Sequence, residues 1–314
     1  MQNNRIITAS SINRRNYWVN NIKQTINTDF VSESSRIETE VVNEVNHIGT
    51  EAIIDHLRLC GNIPESYTHD STEEKLYSKY TDIILSEAFK ILGLKSVVLT
   101  ERGDAADVEV YGREFSFVAD AKAFRLSRTA KNQKDFKVQA MDSWKKGKPF
   151  AIVICPIYQL PNKSSQIYEQ AIRRNVCILT YSHLSLLVNF AAIVGCQHAE
   201  KLLYLILNIV PALNPSKSAV DYWLAINRTI LNYSNDILEL WQNEKQAAYE
   251  TILAAKDEAL CFLAAERERI ARMSHEEAIR ELIKMNKIDS KVKAINSIVD
   301  NGIFNLLNST CKCN

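Results

Sequence analysis

Apolar and polar residues recur along the chain with two different periods, and each change of period marks an element. Residues 1–35 are polar, rich in Asn and Ser, and carry no readable period. From Ile37 to Leu59 the apolar positions Val41, Val45, Ile48, Ile53 and Leu57 predict one helix, with Gly61 as its C-terminal cap. A loop containing Pro64 follows over Asn62–Asp70. Ser71-Thr72-Glu73-Glu74 has the form of a capping box, with Ser71 as N-cap and Glu74 at the third helical position. The helix it opens carries Leu76, Ile83, Ile84, Ala88, Ile91 and Leu92 and stops at Gly93. After a short β-prone run, Lys95–Thr100, the period changes to two. Asp104–Lys122 holds two alternating runs around Tyr111-Gly112-Arg113-Glu114, which predicts a β-hairpin. The latter part of Phe124–Lys148 returns to a helical period, with Phe136, Ala140 and Trp144 on one stripe. Pro149–Cys155 is continuously apolar and predicts a buried strand. A helix over Ser164–Arg174 and a strand over Val176–Thr180 complete a parallel crossover. From Ser182 the chain is helical, interrupted by Pro211 and Pro215, with long patterns over Ala219–Trp241 and Gln246–Met273. A second capping box, Ser274 with Glu277, opens one more helix.

This order predicts an α/β fold with a mixed central sheet, an antiparallel hairpin extended by parallel strands. It divides the chain into an N-terminal helical region (1–70), an α/β core (71–185) and a C-terminal helical region (186–314), with no internal repeat. The 314 residues are 46% hydrophobic and 24% charged, as in ordinary globular proteins. The formal net charge is only +1, so binding to nucleic acid has to come from local basic clusters. Seven cysteines, mostly within apolar runs, fit a reducing cytoplasm and buried thiols better than a disulfide framework. Cys311-Lys312-Cys313 lacks a second ligand pair. The N-terminus has no signal-peptide pattern. The most apolar runs, Leu184–Cys196 and Leu202–Val210, are too short to span a membrane and predict core or interface helices. There is no glycine-rich phosphate loop, and the six histidines lack ligand spacing.

The chemistry that remains is concentrated in the hairpin. Residues two apart on a strand share a face, so Asp120 and Lys122 project together. Neighbouring strands lie about 4.8 Å apart, so Asp107 reaches the same place from the adjacent strand. Two carboxylates suit a hard divalent cation such as Mg²⁺. A bound cation can lower the pKa of a water and polarise a phosphoryl oxygen, while the ammonium orients that water or offsets developing charge. The spacing resembles the PD-(D/E)xK motif of nucleases, with Ala106 where proline is common. Asp-x-Lys is frequent by chance, and a surface hairpin with solvated charges would carry the same residues. Glu74 has two readings, a helix cap or an acid facing the metal site. The basic residues of 124–148 outnumber Asp135 and Asp142, which after a phosphodiesterase-like site suggests a DNA-contacting surface.

The run from Asp120 to Val138, DAKAFRLSRTAKNQKDFKV, is more specific. It closely resembles type II restriction endonucleases of the HindIII type, within the PD-(D/E)xK superfamily. The resemblance extends over about Ser71–Ile172. It implies a restriction-endonuclease core and Mg²⁺-dependent cleavage of both DNA strands within AAGCTT, leaving 3′-hydroxyl and 5′-phosphate ends. It further implies that Asp107, Asp120 and the Ala121 carbonyl hold the metal, with Glu74 as a further candidate, and that Lys122 serves the water. Arg125, Arg128, Lys131, Asn132 and Lys134 are the candidate DNA contacts. A palindromic target implies a two-fold homodimer, with the C-terminal helices and the two apolar runs as interface material. A structure-specific repair or junction nuclease and a non-catalytic DNA-binding protein are the alternatives.

Overall fold

The six residues Phe-Ala-Ile-Val-Ile-Cys form a strand, Phe150–Cys155, in which every side chain is buried. A continuously apolar strand needs cover on both faces, and the elements around it supply that cover. The protein is described here by a computed structural model covering residues 5–24, 29–99, 105–128 and 133–298. Its described residues form one five-stranded sheet in sequential order, β1 (Lys95–Val98), β2 (Val108–Tyr111), β3 (Ser116–Ala121), β4 (Phe150–Cys155) and β5 (Val176–Thr180). The β1/β2 and β2/β3 pairs are antiparallel, and the β3/β4 and β4/β5 pairs are parallel. The predicted hairpin and mixed α/β sheet are therefore present. Val108 pairs with Ala119, so one further step of the register sets Asp107 opposite Asp120.

The N-terminal third is helical: α1 (Ala9–Lys23), α2 (Phe30–Ile48) and α3 (Thr50–Leu59). The single helix expected from Ile37 to Leu59 is two, because Gly49 adopts φ +86° between them. Gly61 does not cap it either; Cys60 does. A Cβ at Gly61 would lie 2.9 Å from Pro156, so glycine there permits a close crossing of two segments. Residues read as featureless contain α1, whose Thr8 and Ser11 form a reciprocal capping box. The buried Arg15 of α1 donates to the carbonyls of Leu59 and Asn62 and to the Tyr77 hydroxyl, and pairs with Glu258.

Next comes α4 (Thr72–Ile91), with Ser71 accepting from the Glu74 N–H as predicted. It packs along β1, β2 and β3. Between β3 and β4 the expected continuous helix is two short ones, α5 (Gln133–Phe136) and α6 (Val138–Trp144), broken where Lys137 adopts φ +47°. The buried stripe is accordingly Val138, Met141 and Trp144, with Ala140 only half-buried. The crossover from β4 to β5 runs through α7 (Gln166–Arg173).

The C-terminal part holds α8 (Tyr181–Val194), α9 (Cys196–Ala212), α10 (Ala219–Leu231), α11 (Ile237–Ala271), α12 (His275–Met285) and α13 (Ile288–Asn296). The pattern read over Ala219–Trp241 ends ten residues early, and Trp241 belongs to α11. The two most apolar runs contribute to the core. Leu184, Leu187, Phe190, Leu203 and Ile206 are all buried as α8 and α9 pack on each other and on β5. The second capping box is present at Ser274 and Glu277. By contact the chain divides into two units, Met1–Leu260 and Cys261–Asn314. The second contains α12 and α13, which pack together and bury none of their residues. Among the described residues no helix is long and apolar enough to cross a membrane. Cys311 and Cys313 lie outside the described residues.

Candidate active site

Asp120 is the fifth residue of β3 and is 1% exposed. Lys122, two residues on, keeps the same side, and its ammonium pairs with the Asp120 carboxylate. The backbone there is fixed from two directions. The Lys122 N–H donates to the Ile154 carbonyl at 2.7 Å, and the Lys122 carbonyl accepts from the Tyr181 hydroxyl at 3.2 Å. Asp107 arrives from the neighbouring strand, held by its carbonyl accepting from the Leu99 N–H at 2.8 Å.

A third carboxylate joins them. Asp82, in the middle of α4, brings an oxygen to a group in which Asp82, Asp107 and Asp120 atoms all lie within 4.8 Å of one another. Burial, then the neighbouring Asp107, pushes the Asp82 carboxyl well above the usual carboxylate range. Burial and then Asp120 push Asp107 up as well. Lys79 and Lys122 act in the opposite direction on both. Such crowding is unfavourable unless a cation compensates it, and three hard oxygen donors match Mg²⁺ or Ca²⁺ rather than a soft metal. The cluster opens into a cleft of about 780 Å³ that Ala121, Arg128 and Lys137 also line.

The remaining sequence candidates separate into several places. Glu74 is not in the three-carboxylate group. It lies eight residues before Asp82, or about 12 Å along an α-helix. Its carboxylate accepts from the Asp70 N–H at 2.6 Å and from Arg125 Nε at 3.3 Å. With His69 and Asp70 it forms a separate, more exposed group. The reciprocal half of the capping box therefore goes to Asp70 rather than to Ser71. Arg125 is turned inward: besides Glu74 it donates to the carbonyls of Tyr67 and Thr68. Its guanidinium thus ties the loop before α4 to the segment after β3. Arg128 pairs with Asp135, sits 5.7 Å over the Phe124 ring and keeps about half its side chain exposed. Lys134 lies in α5. Lys131 and Asn132 fall outside the described residues.

Asp82 and Lys79 escaped the sequence reading. What singles out Asp82 is its burial, which the fold shows and the sequence does not. Asp82 stands in a run from Tyr80 to Phe89 that is buried at every position, and an acid in such a run needs a charged or metal partner.

Comparison with known proteins identifies the family. A family model described as HindIII restriction endonuclease matches residues 15–299. The chain is 32% identical over 276 residues to the Type II restriction enzyme HindIII of Haemophilus influenzae, covering 85% of this chain and 90% of that protein. The similarity thus reaches well beyond Ser71–Ile172, into helices at both ends whose sequence alone suggested no relative. The chain belongs to the HindIII restriction endonuclease family, and so to the type II restriction enzymes, site-specific deoxyribonucleases.

Proposed function

We propose that this protein makes Mg²⁺-dependent double-strand cuts in DNA within AAGCTT, as a cytoplasmic two-fold homodimer. The observation that carries this reading is the cluster of Asp82, Asp107 and Asp120 beside Lys122 at the floor of an open cleft. Asp107 and Asp120, with the Ala121 carbonyl, would hold the ion, and Asp82 adds a third carboxylate from α4. When bound, the ion supplies an activated water and polarises the phosphoryl oxygen. Lys122 then has two tasks: its ammonium, held by Asp120, orients the attacking water and offsets charge on the phosphate. The water oxygen bonds to phosphorus as the P–O3′ bond breaks, and the leaving 3′ oxygen takes a proton from solvent, giving 3′-hydroxyl and 5′-phosphate ends. In this reading 71–185 is the nuclease core. Arg128, Lys131, Asn132 and Lys134 contact DNA, and Arg125 positions the segment that carries them. Glu74 acts through Arg125 rather than on the ion.

The dimer follows from a palindromic target, because one site cuts one strand and a two-fold axis repeats it on the other. Exposed Leu282, Ile283, Met285, Ile288, Val292 and Ile295 on α12 and α13 supply apolar surface for it. The test is the fragment pattern from a sequenced plasmid. Discrete fragments at AAGCTT with Mg²⁺, and none with EDTA, are expected. Cuts that follow DNA junctions instead would transfer the protein to a repair-type nuclease. Sedimentation on a short AAGCTT duplex should give two subunits per duplex; one subunit cutting both strands would rule out the dimer.

A further inference from the structure

The cleft has a wall that neither the basic run nor the hairpin accounts for. On α4, Lys75, Lys79 and Asp82 recur at four and then three residues, one face of a helix, and all three border the cleft. Lys75 is exposed, and its ammonium makes no hydrogen bond or ion pair with the described residues. Lys79 is half-buried and held in place. Its ammonium donates to the Leu99 carbonyl at 3.1 Å and stands 3.8 Å from Asp82, close enough to attract but not bonded. An ammonium has three donors, so two remain for oxygens in the cleft. Four residues of α-helix rise about 6 Å, close to the step between successive phosphates of one strand.

Charge balance points the same way. Lys79 and Lys122 leave the three carboxylates with one negative charge, and a divalent cation reverses that sign. With Lys75 added, this side of the cleft is cationic when the metal is present. A lysine needed only as counterion to Asp82 would sit in hydrogen-bonding contact with it and would need no Lys75 one turn away.

We propose that Lys75 and Lys79 grip successive backbone phosphates of the strand being cut, making α4 a second DNA-binding wall of the cleft that Arg128 and Lys137 also line. This rests on the nuclease reading above. Phosphate contacts carry no sequence information, so loss of either lysine weakens binding to every duplex alike and lowers the salt slope by about 0.9 per contact.

The experiment measures binding by fluorescence anisotropy to an AAGCTT duplex and a scrambled duplex, with Ca²⁺ replacing Mg²⁺, across about 50–200 mM salt. Lys75→Met and Lys79→Met are each expected to flatten the log–log slope by about 0.9 and to weaken both duplexes by the same factor. Lys79→Arg keeps the slope. Lys201→Met should match wild type, because its neighbour Glu200 accepts from Arg113 at the hairpin turn, the end remote from Asp107 and Asp120. Unchanged slopes in both methionine variants overturn the proposal, and so does a loss confined to the AAGCTT duplex. If Lys79→Met melts early through its lost bond to Leu99, the exposed Lys75→Met decides alone. Wild type failing to cut AAGCTT would sink the specificity reading, whereas the slopes remain readable on any duplex.

Discussion

Replacing Asp82 with asparagine should make the metal-free protein more stable and the enzyme far less active. The side chain is buried, and the change keeps its volume while removing one charge. In the ionised cluster Asp82 meets two carboxylates within 4.8 Å. At an effective dielectric near 20 each repulsion costs about 3 kcal/mol at that limit. Lys79 at 3.8 Å returns about 4 kcal/mol. The remainder, about 2 kcal/mol, is an upper value, because Lys122 also attracts the Asp82 carboxylate and a crowded carboxyl relieves part of the repulsion by taking up a proton. A gain on the order of 1 kcal/mol is expected, raising Tm by about 2 °C for a unit of this size. The pH dependence fixes the sign. Asp82 and Asp107 titrate above their ordinary value in the fold, so the folded state holds more protons than the unfolded one in that window. Metal-free stability therefore falls as pH rises through the folded pKa values and is recovered toward the ordinary Asp value of about 3.8. Asp82→Asn flattens that slope. Cleavage with Mg²⁺ should drop at least about 100-fold, as when a group aimed at the reacting charge is removed. Thermal scans with and without Mg²⁺ over a pH series, alongside plasmid cleavage rates, provide the measurement. A melting temperature that falls by several degrees without metal, with cleavage unchanged, would show that Asp82 is a structural acid and refute the reasoning.

Two further outcomes are expected. Lys122→Ala should abolish cleavage while leaving specific binding detectable by gel shift, since affinity comes chiefly from backbone contacts elsewhere; full activity would sink the assigned role. Glu74→Gln should cost on the order of 1 kcal/mol of stability through the Asp70 N–H and Arg125 contacts, with a modest rate loss, and calorimetry beside cleavage kinetics will separate this from a metal-binding role.

Much of the site was legible because its parts are local. The alternation in β2 and β3 and the turn between them fix the hairpin, and a period of two puts Asp120 and Lys122 on one side wherever the strand lies. The capping signals at Ser71 and Ser274 likewise depend on residues three apart. The DAKAFRLSRTAKNQKDFKV run was specific enough to point to the family before any geometry was available.

Tertiary packing decided the rest. Glu74 and Asp82 are both acids on α4, and helical periodicity cannot say which turn of a helix will pass the open end of a hairpin. Docking of α4 along β1–β3 makes that choice, bringing Asp82 to the carboxylates and leaving Glu74 to Arg125. The breaks at Gly49 and Lys137 belong to the same class. A left-handed residue such as Lys137 is unfavourable on its own and is offset only because the turn lets Phe136 and Val138 both reach the core. The sequence alone settled which residues could share a face of their own element. Which faces meet depends on contacts between residues far apart in the chain, whose energies no local pattern contains.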